Sequence, residues 1–155
     1  MNSFLSFEKK AYQWMAANGI VLLRISIGLV FFWFGIQKYF PGMSSAEELA
    51  MLTVSKITFG LIHEALIMPI LATWEVLIGL TFITGYFMRI ALPLLFLQMI
   101  GTFMPLFLFP AESFVPPPFI PTLVGQYIIK NIVIVTGAMV IGAYYQGGIT
   151  IKRNH

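Results

Sequence analysis

Four stretches of this chain, residues 20–40, 65–86, 90–109 and 124–145, are apolar along almost their whole length. Each matches the span of about 20 helical residues needed to cross a hydrocarbon layer roughly 30 Å thick. Backbone amides find no water there, so a spanning segment must close its own hydrogen bonds, and for single runs of this length the answer is an α-helix. The sequence therefore predicts an all-α membrane protein, a four-transmembrane-helix bundle. The composition agrees, at 59% hydrophobic and 10% charged with a mean hydropathy of +0.89, against about 25% charged in ordinary soluble domains. Residues 1–18 read as an N-terminal interfacial segment, 19–146 as the membrane domain and 147–155 as a basic tail. The first stretch is longer than a signal-peptide core and carries Arg24 with no small-x-small site after it, so it reads as a retained span. Ahead of it, Phe4, Leu5, Phe7, Tyr12 and Trp14 beside Glu8, Lys9 and Lys10 suggest a surface anchor.

Three ionisable residues, Arg24, Glu75 and Lys130, lie inside three different apolar stretches. A charge at the centre of a membrane helix costs roughly 2.5–3.5 kcal/mol even on the lenient insertion scale. The three should therefore converge, or hold something. Residues three, four and seven apart share a helix face. That rule gathers Arg24, Gly28, Phe31, Gly35 and Lys38 in span one and Met68, Ala72, Glu75, Gly79, Phe82 and Tyr86 in span two. It gathers Ala91, Gln98, Thr102 and Pro105 in span three, then Gln126, Lys130, Gly137 and Ile141 in span four. Small residues permit close helix approach in lipid, so Gly28, Gly35, Gly79 and Gly137 are the expected packing positions. The expected polar core is an Arg24–Glu75–Lys130 network completed by Gln98, Asn131 and Gln126. One carboxylate against two cations leaves positive charge over, which a water, a lipid phosphate, a small anion or a quinone oxygen could meet. The aromatics Phe31, Phe32, Trp33, Phe34, Tyr39 and Phe40 could line an apolar slot or face lipid.

Between spans one and two, Ser44-x-x-Glu47 and Ser45-x-x-Glu48 are overlapping capping-box patterns ahead of Leu49, Leu52, Ile57, Leu61 and Ile62. They predict an amphipathic helix on the outer face of the bundle, ending near His63 and Glu64. Pro110, Pro116, Pro117, Pro118 and Pro121 predict a stiff, extended connection into the last span. Phe87-Met88-Arg89 reads as a tight turn making spans two and three antiparallel neighbours. Lys9, Lys10, Arg89, Lys152 and Arg153 fall on one side of a four-span arrangement, Lys38 and Lys56 on the other, which predicts cytoplasmic termini. The +3 net charge reflects that asymmetry and gives no reason to expect nucleic acid. With no cysteine and only His63 and His155, thiol relays, bis-histidine haem ligation and metal clusters are not expected.

The run from Leu22-Leu23-Arg24-Ile25-Ser26-Ile27-Gly28-Leu29 through Trp33-Phe34-Gly35-Ile36-Gln37-Lys38 resembles the opening of the DoxX-like membrane family. So does Glu75-Val76-Leu77-Ile78-Gly79, continuing to Gly85 and Arg89. Gly125-Gln126-Tyr127-Ile128-Ile129-Lys130-Asn131 is similar to a branch of that superfamily. The resemblance implies a four-helix protein of the bacterial inner membrane, some of whose relatives look like subunits of quinone-linked redox complexes and others like assembly or trafficking factors. It marks Arg24, Gly28, Glu75 and Gly79 as the family's recurring positions.

The leading expectation is an accessory or quinone-interacting subunit of a redox-linked membrane system. Glu75 would accept or relay a proton, and Arg24 and Lys130 would hold it ionised or hold ligand oxygens. A quinone is the expected cofactor, and its partners would be the bilayer and a homo-oligomer or larger membrane complex. The alternatives are a non-enzymatic scaffold or assembly factor, whose charges only specify the bundle, and a small-solute or proton pathway with Pro93 and Pro105 as helix breaks.

Overall fold

The computed structural model describes residues 2–44, 46–115 and 120–148. Ser45, Pro116, Pro117, Pro118, Lys152, Arg153 and His155, on which parts of the expectations rest, lie outside them. Within the described residues four helices are long and apolar enough to cross a membrane, Phe4–Gln37, Glu64–Thr84, Met88–Leu108 and Leu123–Tyr145. The elements in order are α1 (Asn2–Gln37), α2 (Glu47–Ile57), α3 (Glu64–Thr84), α4 (Met88–Phe103), α5 (Pro105–Leu108) and α6 (Pro110–Ser113). A short antiparallel pair, β1 (Phe114–Val115) and β2 (Ile120–Pro121), leads into α7 (Leu123–Lys130) and α8 (Ile132–Tyr145).

The seam between α1 and α3 organises the bundle. Antiparallel α1 and α3 approach so closely that a methyl group on Gly28 would lie 2.7 Å from the Ile83 amide nitrogen, and one on Gly79 2.5 Å from that of Phe32. Gly35 meets Val76 in the same way, at 2.9 Å. Such contact is available only where a helix presents no side chain, and dispersion between backbones then substitutes for the hydrophobic drive that lipid does not supply. The core gathers behind this seam from Ile27, Phe31, Ile78, Phe82, Leu95, Ala138 and Ile141. Gly137 faces only the flexible ends of Ile27 and Leu23.

Local signals set most helix ends. The His63 ring nitrogen Nδ1 accepts from the Ala65 amide at 3.3 Å and caps α3 at its start. Gly85, at φ +84°, ends α3 in the left-handed conformation that glycine adopts without cost. Phe87 at φ +57° completes the turn and α4 restarts at Met88, so the reversal falls slightly earlier than Phe87–Arg89. The Thr122 hydroxyl accepts from the Gly125 amide at 3.1 Å and caps α7. The Trp74 indole donates to the Leu94 carbonyl at 3.2 Å, tying α3 to α4.

Four local expectations change. The N-cap of α2 is Ala46 with no side-chain bond. The Glu47 carboxylate instead turns back to accept from the Gly42 amide at 2.7 Å, so the Ser44 capping box does not form. His63 and Glu64 begin α3 and do not close α2, because the chain turns at Phe59 and Gly60, both at positive φ. The proline-dense connection is a one-turn helix and a strand pair where described, since Pro110 sits at the first helical position that proline tolerates. Finally, α1 runs unbroken from Asn2, and none of residues 4–19 is buried. The segment placed ahead of the first span is thus one rigid helix with it, about 54 Å in total at 1.5 Å per residue.

Candidate functional site

At the end of the bundle remote from the α3–α4 turn, the helices separate and α2 lies across the gap. They line a half-open cavity of about 410 Å³, with walls from α1, α2, α3, α4, α7 and α8. Its walls are mostly apolar: Phe31 and Phe34 from α1, Leu49, Ala50, Thr53, Val54 and Ile57 from α2, and Met99, Ile128 and Ile134 from the opposite wall. Polar groups converge on one side. The Lys38 ammonium lies 2.6 Å from the Glu75 carboxylate, with side chains 15% and 11% exposed. The other carboxylate oxygen accepts from the Gln98 amide at 2.8 Å. Both oxygens of Glu75 are therefore occupied, one by a charge and one by a neutral donor. Lys38 adds a long hydrogen bond to the Phe34 carbonyl at 3.5 Å, leaving one of its three N–H groups over. The Gln98 and Asn131 amide oxygens make no hydrogen bond to the described residues, and both residues line the cavity.

Each side chain arrives here for a local reason. Glu75 follows Ala72 on the buried face of α3. Gln98 lies between buried Leu95 and Met99 on α4. Lys38 stands just beyond the last residue of α1, in a turn closed by its own amide to the Gly35 carbonyl at 3.2 Å, and its flexible stem folds back toward Glu75. Tyr39 extends the same link, its hydroxyl 2.8 Å from the Thr73 hydroxyl.

The expected network divides in three. Glu75 and Gln98 are in the polar core, but the partner cation is Lys38. Arg24 does not reach Glu75: it is level with the end of α3, where its Nη1 donates to the Phe82 carbonyl at 2.7 Å and the Ile83 carbonyl at 3.3 Å. Glu75 is level with Gly35, about 16 Å of helix rise from Arg24. Lys130 is exposed and lies over the Tyr127 ring, 5.7 Å from its centre. Gln126 is exposed too, with one weak bond to the Pro121 carbonyl at 3.5 Å. Asn131 binds the Tyr127 carbonyl at 3.0 Å and contributes to the cavity wall without touching Glu75. The physical cause is the break at Asn131 between α7 and α8. The buried face of α7 is Gly125 and Ile128, so a stripe drawn through one continuous helix misplaces Gln126 and Lys130. Of the aromatics in span one, Phe31 and Phe34 line the cavity, whereas Trp33 and Phe40 face outward at 66% and 54% exposure.

Among the described residues no group of histidines and carboxylates is placed to hold a metal ion. The family model described as DoxX matches residues 19–109, which carry α1 from its second half through α5 and include Lys38, Glu75 and Gln98. No curated protein and no solved structure shows a significant match to this chain.

Proposed function

The chain belongs to the DoxX family of integral membrane proteins, and on that premise we propose that it is a membrane-embedded binding subunit for a neutral, lipid-soluble molecule with a hydrogen-bonding head. A quinone is the ligand class that fits best, and an accessory place in a redox-linked membrane system is the role that follows. The observation that carries this reading is the one-to-one pairing of Lys38 with Glu75 on the wall of the cavity. Two cations around one carboxylate would call for an anion; one cation cancels the charge, and a charged guest would have to break a pair that is already closed. What the wall still offers is a donor on Lys38 and acceptors on Gln98 and Asn131. A quinone carbonyl accepts from the first, and a quinol hydroxyl donates to the second. The volume lies in the 300–1,000 Å³ range of small-molecule sites, and apolar walls with a few placed polar groups are their usual chemistry.

The membrane is the bacterial inner membrane on this reading, with both termini cytoplasmic. Lys38 and Lys56 are the basic residues just outside the spans on the α2 side, among Glu47, Glu48, Glu64 and Glu112. Lys9, Lys10 and Arg89 belong to the opposite side.

Purified protein should retain a neutral quinone in native mass spectra and bind a short-tailed quinone in titration. Binding should fall about tenfold in Lys38→Met, the cost of one charge-assisted hydrogen bond, and more steeply in Leu49→Trp, whose indole would fill the space under α2. Unchanged quinone binding in both variants would refute the assignment. A second reading, a small-solute pathway, is favoured by the helix interruptions at Met104 and Asn131, beside the cavity residues Pro105 and Ile134. Solute flux into proteoliposomes separates the two.

A further inference from the structure

We propose that Arg24, at the end of the bundle remote from the cavity, binds a phosphate oxyanion supplied by the headgroup of an anionic phospholipid. Arg24 is only 9% exposed in the α1–α3 seam. Its Nη1 spends its donors on the Phe82 and Ile83 carbonyls, two of the last four of α3, which have no partner within their own helix. The negative end of a helix carries roughly half a charge, so about half of the guanidinium charge is left unmet. No carboxylate is within ion-pair distance of it among the described residues.

The unmet half has a definite shape. Nε is buried with no hydrogen-bond partner, and Nη2 makes none to the described residues. Their N–H groups lie on the same edge of the planar guanidinium, the fork that matches two oxygens of a phosphate. A buried charged donor left unpaired is costly, and an oxyanion on that edge removes the cost. Gly85 leaves room for the guanidinium itself: a methyl group there would collide with Nη1 and come within 3.1 Å of the Tyr145 hydroxyl. Tyr145, 42% exposed at the rim, thus brings a further donor close to the guanidinium. The site is level with the last turn of a membrane span, the depth at which lipid phosphates lie, and long basic side chains reach that layer from within a bundle.

The test uses the full chain in nanodiscs of equimolar phosphatidylglycerol and phosphatidylcholine, gently extracted into native mass spectrometry. Wild type should retain phosphatidylglycerol over phosphatidylcholine by about tenfold. Arg24→Lys keeps the charge and loses the fork, and should bring the ratio near parity. Tyr145→Phe should lower it by about threefold, one neutral hydrogen bond. A second arm titrates inorganic phosphate into lipid-free protein and reads thermal stability. Stabilisation of wild type and not of Arg24→Lys, without lipid preference, assigns the same site to the free ion. The proposal falls if neither probe distinguishes wild type from Arg24→Lys. Quinone binding in the cavity is unaffected by either variant, so its failure and the failure of this site are separate results.

Discussion

Glu75 holds two contacts that differ in kind, a charge at 2.6 Å from Lys38 and an amide at 2.8 Å from Gln98. Removing the carboxylate leaves an ammonium facing an apolar cavity. Breaking a fully buried pair costs 3–5 kcal/mol; with both partners slightly exposed, Glu75→Gln should cost about 2–3 kcal/mol of stability. The double change Lys38→Met with Glu75→Met should recover more than half of that, because a pair replaced by apolar groups is often neutral. Chemical denaturation in detergent across the double-mutant cycle measures both; additive losses would show that the two residues do not interact. Glu75 and Gln98 were legible from helical spacing alone. Lys38 stood on the same stripe as Arg24 and Gly35, yet a lysine at the end of an apolar run reads as an interfacial residue. Nothing in the sequence says that α2 covers it. Arg24 misled for the opposite reason: its depth in the run suggests a buried carboxylate partner, whereas only its Nη1 is met, by the open carbonyls of α3, and a sequence does not show which helix ends at its level.

Among the elements, the α1–α3 seam and the α1–α8 contact use the same residue type differently, and substitution separates them. At Gly79 an added methyl group would meet the Phe32 backbone at 2.5–2.7 Å, and backbone cannot move aside without parting the helices. Gly79→Ala should lose about 1–3 kcal/mol by overpacking, and it should loosen quinone binding as well, since Glu75 lies on the same seam with its Cβ 3.0 Å from the methyl that Gly35 lacks. At Gly137 the nearest atoms are side-chain ends of Ile27 and Leu23, at 3.1 and 3.4 Å. Those can shift, and alanine is the better helix former by about 1 kcal/mol, so Gly137→Ala should be neutral or mildly stabilising. Thermal unfolding of the two variants side by side decides it; equal losses would mean that the seam is not where the bundle is tightest. Gly28, Gly35 and Gly79 could be read from spacing because spacing is what a helix preserves; Gly137 shared the spacing without the close backbone contact. The break at Asn131 could not, since Gly125-Gln126-Tyr127-Ile128-Ile129-Lys130-Asn131 has no proline to announce it, and a single interruption is enough to rotate Lys130 out of the core.

For the molecule as a whole, charge and cover point the same way. The cavity and its amphipathic roof occupy one end of the bundle, while Arg24, the α3–α4 turn and the projecting start of α1 occupy the other. Lys9, Lys10 and Arg89 at the second end, against Lys38 and Lys56 just outside the spans at the first, supply the contrast in basic charge that orients a membrane protein. Lys56 lies over the Phe109 ring at 4.8 Å. The chain has no cysteine, so a single introduced thiol reports its own side without background. Phe59 and Phe87 are 91% and 74% exposed, in the turns at opposite ends of the bundle. With an impermeant maleimide on intact spheroplasts, Phe59→Cys should label directly and Phe87→Cys only after lysis. The reverse pattern would invert the orientation and put the cavity mouth on the cytoplasmic side, moving any redox partner with it. Labelling of both from one side would contradict the four-span architecture itself, because α3 must cross the membrane between them.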